Sequence, residues 1–158
     1  MTKYVVSKDQ LQRARELFDF GVLKNSVTDG AGNLCGAVGE IIVADRYNVI
    51  AGENTRDYDL IIKGKTIDIK TKRYKKYGSS NTKINLNVSA FNTGQQCDYY
   101  CFVGVDYNYE EAIIYGFIKK TDFYSRAVFR KKGEIDPNGD GVWTFKCDCW
   151  NILADKLG

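Results

Sequence analysis

The stretch YDLIIKGKTIDIK, residues 58–70, has hydrophobic residues alternating on two arms around a Lys63-Gly64 turn signal. It reads as a short β-hairpin. Any two- or four-residue loop centred there pairs positions whose numbers sum to 127, which sets Leu60 opposite Ile67 on a core face. The same register sets Asp59 opposite Asp68, and like charges facing each other across strands are destabilising. Two carboxylates about 5 Å apart, at an effective dielectric near 20, repel by roughly 3 kcal/mol. A cation between them would turn that repulsion into coordination.

Working outward, Asp68 and Lys70 are two apart on a strand and project from one face, with Ile67 and Ile69 on the other. Hard oxygen ligands suit Mg²⁺, which takes one or two carboxylates and keeps waters and substrate phosphate in its remaining positions. Asp57 competes with Asp59; in the same register it stands opposite Lys70 and reads as that lysine's ion-pair partner. Upstream, residues 34–47 carry a helical stripe of Leu34, Val38, Ile41 and Ile42. Glu40 sits on that helix with Gly36, Ala37, Val43, Ala44 and Tyr47 as its nearest neighbours. A carboxylate among small and apolar groups calls for a partner, and a site on the adjacent sheet would supply one.

The remaining chain fills in a single α/β domain over residues 1–158. Ser7 and Gln10 resemble a capping box before a helix bearing Leu11, Ala14, Leu17 and Phe18 and ended by Gly21. INLNV reads as a strand, and SAFNTGQQ as either a short helix or a loop. CDYYCFVGVD and AIIYGFI are apolar on both alternating faces and read as interior strands. Thr121 is placed as the cap of a short helix carrying Phe123 and Ala127, and VWTFKC as the last strand. DPNGDG (136–141) has the acidic spacing that opens a calcium-binding loop, but Cys147 stands where a bidentate glutamate is needed, so it reads as a tight turn.

Composition narrows the chemistry. The 158 residues include no histidine, so histidine-dependent triads are excluded. Acid–base chemistry falls to carboxylates, lysines or metal-bound water. None of the five cysteines forms a CxxC pair, which argues for reduced structural thiols. No apolar run approaches the ~18 residues of a membrane span, and the amino terminus turns polar early. A soluble, intracellular and cytoplasmic protein is the expectation. Net charge is +3, yet residues 63–83 hold eight Lys or Arg against one acid, so that segment is +7 and the rest −4. Its cations Lys72, Arg73, Lys75, Lys76 and Lys83, interleaved with Tyr74 and Tyr77, suit phosphate contact and base stacking. Lys72 shares the strand face of Lys70 and is the one placed nearest a substrate backbone.

Glu40 on a helix, then Asp59, then Asp68-Ile69-Lys70 on a hairpin resembles the PD-(D/E)XK nuclease superfamily over roughly residues 33–120. Tyr58 stands in place of that family's usual proline. The resemblance implies a restriction-endonuclease-like core, a central mixed sheet flanked by helices. It also implies a Mg²⁺-dependent endonuclease acting on DNA, with a double-stranded substrate as the expectation and Mn²⁺ able to substitute. In that pattern Asp59 and Asp68 are metal ligands, joined by the Ile69 carbonyl and by Glu40 directly or through water. Lys70 positions and activates the attacking water. Restriction, homing and junction-resolving nucleases of phages and mobile elements share this compact form, and a double-strand cut implies a homo-oligomer. A module that keeps the fold and binds nucleic acid without cleaving it is the other expectation.

Overall fold

In the computed structural model the hairpin arms are β2 (Leu60–Ile62) and β3 (Lys65–Tyr74), paired Leu60 to Ile67, Ile61 to Thr66 and Ile62 to Lys65. That is the expected register for these three pairs, but the expected pairing of Asp59 with Asp68 does not form, because Asp59 N–H bonds to the Ile67 carbonyl instead. The loop has two residues, with φ of 50° at Lys63 and 73° at Gly64. Positive φ at both positions matches the right-handed twist of the arms, and Gly64 meets that demand without strain. The structure describes residues 1–20, 33–51, 57–74, 84–137 and 144–157.

A five-stranded mixed sheet is built around this hairpin in the order β1-β6-β5-β3-β2. Its other members are β1 (Thr2–Val5), β5 (Tyr99–Asp106) and β6 (Glu111–Lys119). β3 and β5 run parallel, with Asp68 beside Tyr100 and Lys70 beside Phe102. β5 and β6 are antiparallel neighbours with one irregularity at Phe102/Val103. Their turn is tied by the buried carboxylate of Asp106, which accepts from the amides of Asn108, Glu110 and Glu111 at 2.7–3.1 Å.

Both faces of this sheet are covered, which explains why β5 shows no polar alternation. On one face lie α1 (Lys8–Phe20) and α2 (Asn33–Tyr47), burying Val38, Ile41 and Ile42 against Leu60, Ile67, Ile69, Cys101 and Val103. On the other lie α3 (Lys120–Arg126) and a three-stranded sheet ordered β4-β8-β7. The strands of that second sheet are β4 (Asn85–Ser89), β7 (Val128–Arg130) and β8 (Cys149–Leu153). There Tyr100, Phe102 and Phe123 pack with Leu86, Val88 and Ile152.

The capping box forms as expected: Ser7 N–H donates to Gln10 Oε1 at 3.0 Å and Gln10 N–H to Ser7 Oγ at 3.1 Å. Gly21 and the side chain of Phe18 lie outside the described residues. Two local expectations are corrected. The last described strand is Cys149–Leu153; of the expected strand VWTFKC, Val142 and Trp143 lie outside the described residues and Thr144 forms an isolated bridge to Ile135. Lys119, not Thr121, occupies the N-cap of α3, with no side-chain cap. The edge strand β1 was not foreseen, because it is four residues long and mostly exposed.

One contact sets the height of α2 above the sheet. A Cβ added at Gly39 would stand 2.1 Å from Thr71 Oγ1 on β3. Helix propensity favours Ala over Gly by about 1 kcal/mol, whereas overpacking a core contact costs about 1–3 kcal/mol. At 2.1 Å the steric cost wins. Gly39→Ala is therefore expected to lower the melting temperature by several degrees in a thermal scan; a rise would mean that α2 does not pack this closely.

Candidate active site at the open edge of β3

The hairpin ladder ends abruptly. Asp59 N–H donates to the Ile67 carbonyl at 2.9 Å, one step off the register that pairs Leu60 with Ile67. Two successive residues thus address one, a bulge that re-aims the next side chain. The Asp59 carboxylate turns to the edge of β3 and accepts the Ile69 N–H at 2.6 Å. In an extended strand the N–H and C=O of one residue point to the same side, so the Ile69 carbonyl faces that edge as well.

Asp68 is 3% exposed, and its Oδ2 lies 2.6 Å from Lys70 Nζ in a nearly buried ion pair. Lys70 therefore pairs with Asp68, not with Asp57; the Asp57 carboxylate accepts the Gln96 N–H at 3.1 Å. Glu40 approaches from α2, whose close seating on β3 at Gly39 delivers it, and its Oε2 is buried with no hydrogen-bond partner among the described residues. Burial pushes the Glu40 carboxyl up to about 8, helped by the charges of Asp59 and Asp68. Burial likewise pushes Asp59 up to about 7, with Asp68 adding to it while the Ile69 amide and Lys70 oppose. The helix, the bulge and the strand thus bring Glu40, Asp59, Asp68 and Lys70 to one place.

Gln95 is the residue that sequence reasoning missed. Residues 90–98 form a strap from β4 to β5. From it Gln95 Oε1 accepts from Lys70 Nζ at 3.1 Å, and its Nε2 lies 3.5 Å from Asp68 Oδ1. The strap is pinned at Asp98, whose N–H donates to the Thr66 carbonyl at 3.0 Å, and by Lys120, whose Nζ donates to the Gln95 carbonyl. Nothing in a GQQ tripeptide marks it for this place, since the contact depends on a long-range fold. Cys97 neighbours the same groups; burial, then Asp68, pushes its thiol up to about 11.

The basic segment is divided. Lys72 Nζ donates to the Asn85 carbonyl at 2.9 Å, directing the ammonium into the seam between the two sheets. The Arg73 guanidinium lies over the rings of Tyr107 and Tyr109, 5.8 and 5.1 Å from their centroids. Tyr74, expected to stack on bases, is instead 9% exposed and packs in the second core. The even spacing of tyrosines along the segment could not reveal that β3 extends this far. Lys75, Lys76, Tyr77 and Lys83 lie outside the described residues, as does most of the DPNGDG turn.

Among the described residues, no three His, Cys, Asp or Glu side chains form a ready-made metal-binding group. Carboxylate and carbonyl oxygens are nonetheless the kind of donor that a hard divalent cation takes. The Asp59 and Asp68 carboxylates and the Ile69 carbonyl come together at one edge of β3, and among the described residues the buried Glu40 Oε2 has no hydrogen-bond partner. No described helix is long and apolar enough to cross a membrane. Compared with known protein families and curated proteins, the chain matches none.

Raised carboxyl values carry a definite sign. A carboxyl whose folded-state value exceeds its unfolded value of about 4 holds its proton more tightly when folded. Stability is then full below pH ~4 and falls as pH rises through the folded value. Asp45 and Asp98 are shifted the opposite way and affect only the more acidic range. In EDTA the melting temperature is expected to fall between pH 5 and pH 8. Glu40→Gln should raise it at pH 8 by a few degrees and flatten the slope. A wild-type profile that climbs over this range would exclude a buried, mutually repelling acid cluster.

Proposed function

We propose that the chain is a metal-dependent DNA endonuclease of the PD-(D/E)XK type, with a restriction-endonuclease-like core and its catalytic centre at the open edge of β3. The observation that carries this reading is the meeting of Glu40, Asp59 and Asp68 with Lys70 at one edge, more acids than a structural ion pair needs. A binding surface for a polyanion has no use for buried acids that repel one another and the ligand. A hydrolytic centre does, because the acids hold a cation that is in turn attracted to phosphate.

In this proposal Asp59, Asp68 and the Ile69 carbonyl hold Mg²⁺ or Mn²⁺, with Glu40 reaching it directly or through water. The bound cation would supply Lewis acidity and a water of lowered pKa. Lys70 does the rest of the positioning. Its ammonium is compact, lies among the acids, and is steadied by Gln95 Oε1 at 3.1 Å, so it can hold a water against the phosphate and offset charge growing on the phosphoryl oxygens. Its 5.9 Å approach to the Tyr100 ring on β5 limits its swing on the other side. Histidine is not needed anywhere in this scheme, in keeping with its absence from the sequence. One such centre cuts one strand, so a double-strand cut requires two copies of the chain.

The test is nicking of supercoiled plasmid in Mg²⁺ and its abolition in EDTA. Asp68→Asn should abolish cleavage. Lys70→Ala should lower single-turnover rates by about a hundredfold or more while DNA affinity in Ca²⁺ moves little, since the interaction removed is strongest in the transition state. Lys70→Arg should not rescue, because a planar fork cannot replace a compact ammonium at one water. Cleavage by Lys70→Ala within a few-fold of wild type would remove Lys70 from the chemistry. Binding without cleavage at any metal would favour a non-hydrolytic nucleic-acid module.

A further inference from the structure

The strap that carries Gln95 also displays Phe91, a large apolar side chain 79% exposed to water. Single exposed apolar residues are common, but this one is held on a turn closed at every point. Ser89 Oγ accepts the Phe91 N–H at 3.3 Å and Thr93 Oγ1 donates to the Ala90 carbonyl at 3.1 Å. Gln95 N–H donates to the Asn92 carbonyl at 3.2 Å. The backbone that carries the ring is therefore held four residues from the side chain that touches both Lys70 and Asp68, at most about 14 Å of chain away.

Beyond Phe91 the same turn is joined to a basic one. The Asp148 carbonyl accepts the Ala90 N–H at 2.9 Å, and its carboxylate accepts the Lys132 N–H at 2.8 Å. One residue thus binds the Phe91 turn to the turn bearing Lys131 and Lys132, both exposed. On the other side, Lys120 reaches the strap at Gln95. Along these links Lys120, the exposed ring and then Lys131 with Lys132 follow one another, with the exposed Asp148 between the ring and the two lysines. A cationic path interrupted by an aromatic platform is the arrangement that holds single strands, where each unpaired base offers a face to stack and each phosphate a charge to neutralise.

Building on the nuclease reading, we infer that Phe91, Lys131 and Lys132 form a binding track for an unpaired DNA strand leaving the centre, so that the substrate carries unpaired bases beside the cut. Phe91 stacks on a base and the two lysines meet phosphates. A fully paired duplex buries its base faces and cannot use the ring.

The experiment is fluorescence anisotropy in EDTA with labelled oligo(dT) of about 20 nucleotides and a blunt duplex of equal length. Phe91→Ala should weaken oligo(dT) binding about tenfold and leave the duplex unaffected. Phe91→Trp should keep the affinity, and its indole emission should be quenched by oligo(dT). Lys131→Ala with Lys132→Ala should reduce the log–log salt slope for oligo(dT) by about 1.4, near 0.7 for each single-strand phosphate left without its lysine. Wild-type binding by Phe91→Ala, or equal losses on both ligands, would overturn the track. A change in solution mass for Phe91→Ala would overturn it too, by making the ring a subunit contact. The outcomes separate from those of the parent reading. Metal-dependent cleavage with Phe91 indifferent defeats only the track, whereas Phe91-dependent strand binding by a chain that never cleaves defeats only the hydrolysis.

Discussion

The hydrogen bond from Ile69 N–H to the Asp59 carboxylate, 2.6 Å long, is the contact on which the candidate centre depends. It exists because β2 stops pairing at Leu60, so that among the described residues no strand pairs with the next stretch of β3 on that side. An unpaired backbone donor needs a partner, and Asp59 provides one. In doing so it brings its charge beside Asp68 and close to Glu40, where burial makes the ionised forms unfavourable. A strand carried two residues further would satisfy the same amide and remove the edge altogether. The edge is thus kept at a local electrostatic cost that only a cation or protons can relieve.

The parts around it act as spacers for that edge. Gly39 lets α2 rest directly on Thr71, so Glu40 reaches the acids from the helical face. β5 passes on the other side of β3 and is enclosed by two apolar cores, which keeps water from the back of Lys70. The strap closes the top, tied to Thr66, Asp57 and Lys120, and supplies an amide that can donate to Asp68 and accept from Lys70 together. Three layers therefore converge on four charged side chains, and none of these side chains is positioned by a long flexible loop.

Much of this was legible in the sequence because it rests on local periodicity. Alternation and a Lys-Gly turn fix the hairpin register, and a 3.6-residue stripe fixes α2 and the isolated acid upon it. What stayed hidden depends on distant pairing. The Asp59 bulge shifts the ladder by one residue at its last rung, which no alternation pattern encodes. Gln95 enters through a crossover between two sheets, and the second sheet itself appears in the sequence only as short runs such as NLNVS and CWNIL. Tyr74 misled for a related reason: in a basic, polar stretch its spacing suits a surface, yet β3 runs on to place it in the core beside Leu86 and Val88 of β4. Charge density marked the segment but not the burial of Tyr74 within it.

The parallel pairing of β3 with β5 also bears on the order in which the molecule assembles. The β2–β3 and β5–β6 hairpins close over short loops, the second with Asp106 clamping its turn. Joining them requires the chain to leave the first sheet, form β4 and return, so that contact carries the larger loop-closure entropy and comes late. The acids and Lys70 belong to the first hairpin and the helix before it, whereas Gln95 and the enclosing wall of β5 arrive only with the second. A growing or partly folded chain would hold its acids exposed to water, unshifted and without the amide that steadies the lysine. The arrangement of Gln95 with the acids and Lys70 would then be completed in one step, with the closing of the sheet.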